Sequence, residues 1–387
     1  MYKNELNGDV LTIILDGSID SINAQEKEAE IFEIIKGKDF SSLVIDALSL
    51  VYISSAGLRI ILKLMKTYKN MEIVNVSNEV YDIFDMTGFT KMVKVKKAFR
   101  TIELENAVKI GEGARGIVYR YKEDMIVKVY KGQDVLAQIQ RERELAQKAF
   151  VLGIPTAISY DVVKVGNNFG TVFELLNAKS MSDKIIEDSG NLDEYAKIFT
   201  SLLKTIHSTS VSPDGMHSEM DVVKVWLGNA KNVLDEDTYN KACALVSTIK
   251  ESNTLIHGDF HTNNIMLQDG EALLIDMDTL SYGNPILEFA IIDFTYNTFS
   301  LYEENNSKQF LGIDKDTAFK FYDLVTKYYF EGKDKNVIER NQKRIEFLCS
   351  LRIINHVYKR SKDMNILNKV GENIKSLLNE INDLNLE

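Results

Sequence analysis

One polar stretch between two apolar runs constrains most strongly what this 387-residue chain can fold into. Asp259 is followed five residues later by Asn264, and the next apolar run ends at Asp276. A tight turn at 268–271 would lay the two runs side by side, so that the residues at their ends meet. Two carboxylates and an amide oxygen at one point are groups that phosphoryl transfer from ATP uses. We therefore expect Asp259 to be the catalytic base, with Asn264 and Asp276 as Mg²⁺ ligands.

Two histidines lie on either side of Asp259 and raise the alternative of a metal pair. His257 and His261 are four residues apart, which is the spacing of a zinc pair on a helix. Gly258 disfavours a helix here, and the stretch has neither the glutamate of an HExxH motif nor a third histidine in range. We expect His257 to organise the loop and His261 to act with Asp259 in the catalytic set.

Composition and charge narrow the class of protein. A chain of this length exceeds what one core usually supports, so two or more domains are expected. Apolar residues make up 45% and charged residues 27%, as in soluble globular proteins. The net charge of -11 disfavours general nucleic-acid binding, which needs a basic face. No apolar run approaches the roughly 18 residues of a membrane span, so we expect a cytoplasmic protein without a membrane partner.

The first hundred residues alternate between strand-like and helix-like segments. Apolar runs predict strands, and apolar residues at helical spacing predict helices between them. The predicted strands are 10–15, 43–45, 73–76 and 91–97, and the predicted helices are 22–35, 57–65 and 80–86. This alternation predicts an α/β layer domain.

The loop and helix at 46–59 resemble those of the STAS domains of anti-sigma-factor antagonists. The resemblance extends over about residues 1–99 and includes the segment Gly-Ser-Ile-Asp-Ser at 17–21. It implies a regulatory or docking domain that binds a protein partner.

The antagonists carry a phosphorylatable Ser or Thr immediately before the glycine of this loop. Here Ala56 precedes Gly57, and the nearest hydroxyls belong to Ser54 and Ser55. A hydroxyl at this place would also cap the helix that follows, because it satisfies free backbone N–H groups. Capping is the favoured interpretation, and phosphorylation of Ser54 or Ser55 stays open.

A glycine loop follows the first hundred residues. Gly111, Gly113, Gly116 and Val118 fit the pattern G-x-G-x-x-G-x-V. The residues after it are β-branched and aromatic, so a strand should follow rather than the helix of a dinucleotide-binding fold. A glycine loop between two strands is typical of kinases, where backbone N–H groups approach the phosphates of ATP. No G-K-[ST] follows, which excludes a P-loop.

Lys128 is the one cation inside the apolar segment 125–130. Burying such a lysine is costly unless an anion meets it, and a nucleotide phosphate would supply that anion. A helix predicted at about 134–152 should provide the paired acid. Glu142 shares its apolar face, whereas Glu144 faces the polar side, so we prefer Glu142 over Glu144.

Two further strands, 162–165 and 171–176, should complete a small sheet. The end of the second strand would form the hinge between two lobes, and we expect Glu174 and Leu176 to contact adenine there. The tail from 316 to 386 has a helical pattern.

These motifs together resemble the protein-kinase-like superfamily. H-G-D-F-H-x-x-N at 257–264 with I-D-M-D-T at 275–279 resembles the aminoglycoside phosphotransferase branch in particular. Gly258 replaces the Arg of the protein-kinase motif, and Gly283 follows Asp276 almost at once, which leaves no room for an activation loop. Many members of the branch have G-D-P and a later Asp here. This chain has Asn284 and Glu288 instead, and we expect them to support the fold rather than the chemistry.

The resemblances imply two domains of mixed α/β and α+β class, a STAS-like layer domain and a bilobal kinase-like fold. The expected ranges are 1–99 for the first domain and 100–387 for the second, with an N-lobe at 100–178 and a C-lobe at 179–387. The implied activity is ATP- and Mg²⁺-dependent transfer of the γ-phosphoryl group to a hydroxyl of an unidentified small molecule. Two alternatives are a protein or peptide kinase, acting even on its own STAS domain, and a non-catalytic nucleotide sensor.

Overall fold

The computed structural model describes residues 2–113, 116–132, 135–176, 178–268 and 271–387. The chain forms two compact units. One comprises Met1–Glu105 with Val162–Gly170, and the other comprises Asn106–Asp161 with Thr171–Glu387. None of the described helices is both long and apolar enough to cross a membrane.

The first unit is a layered α/β structure, as the alternating pattern predicted. Its elements are β1 (Lys3–Asn7), β2 (Val10–Ile19), α1 (Ala24–Ile35), β3 (Ser42–Ile53), α2 (Ser55–Thr67), β4 (Met71–Val76), α3 (Asn78–Met86), β5 (Lys94–Lys97) and β6 (Arg100–Thr101). The strand order is β1-β2-β3-β4-β5. Strand β1 is antiparallel to β2, and the remaining neighbours are parallel because a helix connects each pair.

Helix α2 is fixed at its first turn by two features of the loop before it. The hydroxyl of Ser54 accepts hydrogen bonds from the backbone N–H groups of Ala56 and Gly57, at 3.2 and 3.5 Å, which confirms the predicted cap. A Cβ on Gly57 would lie 2.6 Å from the side chain of Ile53 and 2.8 Å from that of Ile19, so only glycine lets the helix approach these strands.

From residue 109 onwards the chain forms the following elements: β7 (Lys109–Glu112), β8 (Gly116–Lys122), β9 (Met125–Tyr130), α4 (Leu136–Val151), β10 (Asp161–Val165), β11 (Asn168–Glu174), β12 (Lys179–Ser180), α5 (Met181–Glu187), α6 (Leu192–His207), β13 (His217–Ser218), α7 (Glu219–Ala230), α8 (Glu236–Val246), β14 (Thr254–Ile256), β15 (Ile265–Gln268), β16 (Glu271–Leu274), β17 (Ser281–Gly283), α9 (Pro285–Tyr296), α10 (Asn306–Leu311), α11 (Lys315–Tyr329), α12 (Lys335–Arg360) and α13 (Met364–Leu377). The tail is helical as predicted, although its last helix ends at Leu377.

Segment 162–170 belongs to the first unit. There β10 pairs in parallel with β6, and the ring of Phe169 packs edge-on against that of Phe99, 5.1 Å between centroids.

In the second unit, β7, β8 and β9 form an antiparallel meander, and β11 lies beside β9. Helix α4 buries Ile139, Glu142, Leu145, Ala146 and Ala149, which confirms the predicted buried face. The start of this predicted helix, residue 134, lies outside the described residues.

A helical core supports two small sheets that hold the candidate site. One sheet has the order β12-β15-β16, and the other has the order β13-β17-β14. Strands β15 and β16 pair antiparallel as predicted, with Ile265 opposite Leu274, so the residues just outside this pair are neighbours. Residues 269 and 270 of the predicted turn lie outside the described residues. Helix α9 is buried on every side and forms the centre of the core.

Candidate active site

Lys128 joins two carboxylates that come from distant parts of the second unit. Its Nζ lies 2.9 Å from Oε1 of Glu142 on α4 and 3.1 Å from Oδ1 of Asp276 after β16. The other oxygen of Glu142 accepts a hydrogen bond from the hydroxyl of Tyr130 at 2.9 Å. Burial lowers the pKa of Lys128, but Asp276 and Glu142 raise it more, so the amine stays charged. Glu144 is exposed on the other face of α4.

Asp276 has a backbone conformation that non-glycine residues rarely adopt. Its φ and ψ are 64° and 62°, in the left-handed region. Such strain persists where the surrounding structure imposes it, and it concentrates at functional sites. The conformation turns the chain into a short 3₁₀ turn, Met277–Thr279, which brings Asp278 beside Asp276.

Glu142, Asp276 and Asp278 form the one group of acidic, histidine or cysteine side chains within the described ranges that could hold a metal ion. One oxygen from each lies within 4.8 Å of the others. Carboxylate oxygens are the ligands that Mg²⁺ prefers, so Asp276 and Asp278 fit the ion, whereas Glu142 is bound to Lys128. His257 and His261 lie in segment 257–264, which we call the catalytic loop after its predicted role, and they do not belong to this group.

Asn264 is held at the end of the catalytic loop by its amide nitrogen and its backbone. Its Nδ2 donates to the backbone carbonyl of Asp259 at 3.0 Å, and its own carbonyl accepts from the backbone N–H of Ile275 at 3.0 Å. The second bond ties it to the residue just before Asp276. Because Nδ2 donates inside the loop, the amide oxygen is available to coordinate a metal ion or to accept a hydrogen bond.

Asp259 is paired with His261. Nε2 of His261 lies 3.4 Å from Oδ2 of Asp259, and the histidine ring packs edge-on against Phe310, 4.8 Å between centroids. Burial raises the pKa of Asp259, but His261, His257 and Arg352 together lower it to about 2. The carboxylate is therefore ionised at neutral pH and can accept a hydrogen bond from a hydroxyl group.

The backbone of the loop is anchored on the buried carboxylate of Glu288 in α9. Its two oxygens accept from the backbone N–H groups of His257 at 2.6 Å and Gly258 at 3.0 Å. Burial raises the pKa of Glu288 to about 8, although these two hydrogen bonds lower it. This contact gives Glu288 the supporting role expected from the sequence.

Gly258 is required by both its conformation and its surroundings. Its φ is +81°, and a Cβ would lie 2.6 Å from the backbone oxygen of Thr279. The hydroxyl of Thr279 donates to the carbonyl of His257 at 2.8 Å, which keeps the two segments in contact. An arginine at this position, as in protein kinases, would force them apart.

The second half of the loop is held by hydroxyl groups. The hydroxyl oxygen of Tyr296 accepts from the backbone N–H of Thr262 at 2.8 Å and is hydrogen-bonded to its Oγ1 at 2.9 Å. Ser182 at the start of α5 shares a further hydrogen bond of 2.6 Å with Thr262. The catalytic loop is thus attached to two helices of the core.

The glycine loop lies between β7 and β8. A Cβ on Gly116 would lie 2.6 Å from the backbone oxygen of Val129, so packing alone requires this glycine. Gly111 would make only ordinary contact with Val118, and Gly113 would meet no atom of the described residues within 4 Å. Residues 114 and 115 lie outside the described residues.

At the predicted hinge, β11 ends at Glu174, whose carboxylate accepts a hydrogen bond from Tyr160 at 3.2 Å. The backbone N–H of Leu175 donates to the carbonyl of Asp124 at 2.8 Å, and Leu176 follows without regular structure. The contacts of Glu174 and Leu176 with adenine therefore stay predictions.

Comparison with known proteins finds a matching family for each part of the chain. Residues 2–103 match the model of the STAS domain, and residues 106–296 match that of the phosphotransferase enzyme family. A putative anti-sigma factor antagonist, BtrV of Bordetella bronchiseptica, is 32% identical over 91 residues, which are 22% of this chain and 77% of the relative. The chain belongs to the STAS family through its N-terminal domain and carries a phosphotransferase-family domain after it.

Solved structures similar to this chain include three kinases. A gentamicin–APH(2″)-IIa complex is 17% identical, with 76% of this chain and 95% of the other covered and a TM-score of 0.46. The ADP-bound aminoglycoside phosphotransferase APH(2″)-Ib is 16% identical, with 76% and 96% covered and a TM-score of 0.44. A choline/ethanolamine kinase family protein from Mesorhizobium loti is 13% identical, with 70% and 87% covered and a TM-score of 0.44.

Two polar residues of the phosphotransferase domain were missed from the sequence. Asp278 follows Asp276 by two residues, and the second carboxylate of I-D-M-D was the available signal. Arg352 lies in a helical tail where nothing local distinguishes it from surface arginines.

Proposed function

We propose that the phosphotransferase domain transfers the γ-phosphoryl group of ATP to a hydroxyl of a small molecule. The observation that carries this proposal is the convergence at Lys128, which joins Glu142 of the N-terminal part to Asp276 of the C-terminal part. A lysine held between two carboxylates, beside a glycine loop, is the arrangement that binds the phosphates of a nucleotide in kinases.

In this proposal the glycine loop covers the phosphates of ATP through Gly111, Gly113, Gly116 and Val118. Asn264, Asp276 and Asp278 would hold Mg²⁺. When bound, this ion supplies positive charge against the phosphate oxygens. Lys128 would then bind a phosphate oxygen in place of Asp276, while Glu142 would keep the lysine in position.

Asp259 would orient the attacking hydroxyl and accept its proton. Phosphoryl transfer passes through a loose transition state, so positioning matters more than the basicity of the acceptor group. The low pKa of Asp259, about 2, is compatible with that role. His261 lies 3.4 Å from the same carboxylate and would fix its orientation.

The brief connection between Asp276 and α9 favours a small-molecule acceptor. Only a 3₁₀ turn and β17 separate them, so the described chain has no segment here that could form the peptide-binding loop of a protein kinase. We further propose that the STAS domain is a docking or regulatory module for a protein partner, because its relative is a putative anti-sigma factor antagonist.

The test is transfer from γ-labelled ATP in the presence of Mg²⁺ to a panel of small alcohols, sugars and aminoglycosides. Asp259→Asn should lower transfer by at least about a hundredfold, as expected for loss of a positioned base. Asp237→Asn, which removes an exposed carboxylate from α8, is the matched control and should leave transfer unchanged.

Label on the protein itself that Asp259→Asn abolishes would contradict the small-molecule proposal and favour the protein-kinase alternative. Binding of ATP without transfer to any acceptor would favour the nucleotide sensor. Equal activity of Asp259→Asn and the wild type would remove Asp259 from the mechanism.

A further inference from the structure

Arg352 of α12 lies between two aromatic rings in the C-terminal part of the phosphotransferase domain. The carbon of its guanidinium is 5.6 Å from the ring centroid of Trp226 on α7 and 4.9 Å from that of Phe294 on α9. We call these three side chains the arginine cradle. Packing against the two rings limits the motion of the guanidinium.

The guanidinium has no anionic partner within the described ranges of the chain. Its Nε is buried without a hydrogen-bond partner, and Arg352 forms no ion pair with a described residue. The side chain as a whole is partly exposed, although its Nε is buried. A desolvated cation is costly without an anion beside it, and the attraction of aromatic rings offsets only part of that cost.

The neighbouring carboxylates are engaged elsewhere. Glu219 is 2% exposed and accepts a hydrogen bond from Ser281 at 2.9 Å, and both oxygens of the buried Glu288 accept from the catalytic loop. These acids act on Arg352 only from a distance. Burial lowers the pKa of Arg352, and Asp259, Cys349, Glu219 and Glu288 do not restore it fully.

Arg352 and the segment that carries Asp259 both contact helix α9. Arg352 packs on Phe294, and the backbone before Asp259 is hydrogen-bonded to Glu288. The positive charge of Arg352 is one of the groups that lower the pKa of Asp259, and Asp259 is the strongest charge acting on Arg352. An anion bound at the cradle would therefore place the rest of its molecule toward the proposed base.

We infer that the arginine cradle binds an anionic group of the phosphoryl acceptor, so that the substrate is an alcohol carrying a carboxylate or a phosphate. The inference rests on the proposed function and adds the chemical class of the substrate. A planar guanidinium suits either anion, because both offer two oxygens to its parallel N–H donors. A polycationic aminoglycoside would meet a positive charge at this place.

Trp226 makes a direct test available, because it is the single tryptophan of the chain and forms one wall of the cradle. The full-length protein is first saturated with MgADP, which fills the nucleotide site. Its tryptophan emission is then followed while glycerol, D-glycerate, glycerol 3-phosphate or kanamycin is added. The two anionic probes share the glycerol skeleton, so they distinguish a carboxylate from a phosphate.

D-Glycerate, glycerol 3-phosphate or both should change the emission, whereas glycerol and kanamycin should not. Arg352→Gln should weaken this response by at least about tenfold, since charge-assisted hydrogen bonds are lost. Arg352→Lys keeps the charge without the planar fork and should give an intermediate affinity. Arg360→Gln removes an exposed charge from the same helix and should bind like the wild type.

The inference is overturned if neither anionic probe changes the emission, if Arg352→Gln responds like the wild type, or if kanamycin alone responds. Circular dichroism of each variant shows whether it is folded, and Arg352→Lys carries the test if Arg352→Gln is not. Failure of MgADP to bind would instead count against the proposed function. Failure of the inference and failure of the proposed function therefore give different results.

Discussion

At the scale of single residues, Lys128 connects the groups of the proposed nucleotide site. Its amine is bound by Glu142 and Asp276, at 2.9 and 3.1 Å. Glu142 is 6% exposed and is also bound by Tyr130, so it is a fixed partner, whereas Asp276 is more accessible. We expect Glu142 to hold the lysine in place through the reaction and Asp276 to release it.

Glu142→Gln is therefore expected to lower kcat/KM for ATP by at least about tenfold, because breaking a buried ion pair leaves a charge without its partner. The exposed Glu144, two residues along α4, offers a matched control. Glu144→Gln should change kcat/KM by no more than about twofold, as surface substitutions generally do. Steady-state kinetics at varied ATP measure both, and equal effects of the two substitutions would refute the assignment of Glu142.

The sequence could predict residues whose local pattern is distinctive. Lys128 is the one cation in an apolar strand, and Glu142 lies on the apolar face of its helix, so the pattern was sufficient to select both. Arg352 could not be predicted because the rings that define it come from α7 and α9, far away in sequence. Only tertiary packing brings Trp226 and Phe294 to it.

At the scale of elements, the glycine loop contains one glycine that packing requires and one that the proposed ligand binding requires. Gly116 begins β8 and has no room for a side chain beside Val129, whereas Gly113 has open space around it within the described residues. The two glycines belong to one motif by their spacing, but glycine is needed at each position for a different physical reason. Gly113 is needed if a phosphate approaches the backbone closely.

Gly116→Ala should destabilise the phosphotransferase domain by about 1–3 kcal/mol, the usual cost of overpacking. Gly113→Ala should leave thermal stability unchanged and raise KM for ATP several-fold. Thermal denaturation followed by Trp226 emission and ATP kinetics separate the two effects. A loss of stability in Gly113→Ala without any change in KM would contradict this division of roles.

Some strands of the first unit can be predicted from the sequence, and one cannot. Apolar runs located β2, β3 and β4 because their buried residues alternate or cluster, although β2 and β3 extend further than the apolar runs. Strand β1 was missed because all five of its residues are exposed. The strand forms because it pairs antiparallel with β2. This backbone pairing does not require a periodic pattern of apolar residues in the sequence of β1.

At the scale of the whole molecule, the two units fold around separate hydrophobic cores. A single unfolding transition cannot be assumed for such a chain, so stability is best followed by a probe in one unit. Trp226 is the single tryptophan and lies in the core of the second unit. Its emission therefore reports on the phosphotransferase domain alone.

Trp226 emission can therefore measure how the ionisation of the buried Glu288 changes the stability of this domain with pH. Because burial raises its pKa from 4.5 to about 8, the folded domain binds this proton more tightly than the unfolded chain does. The resulting stabilisation is fully present below about pH 4.5 and is lost as pH rises toward 8. Glu288→Gln cannot ionise, so its free energy of unfolding should lack this contribution to the pH dependence.

Urea denaturation followed by Trp226 emission, at several values between pH 5 and 8, measures this difference. The wild type should lose on the order of a few kcal/mol relative to Glu288→Gln across this range, since each unit of pKa shift corresponds to about 1.4 kcal/mol. Taking the difference cancels the other titrating groups, provided that they behave alike in both proteins. Parallel pH profiles would mean that the hydrogen bonds from His257 and Gly258 keep Glu288 ionised. The catalytic loop would then be anchored on a charged carboxylate rather than a neutral one.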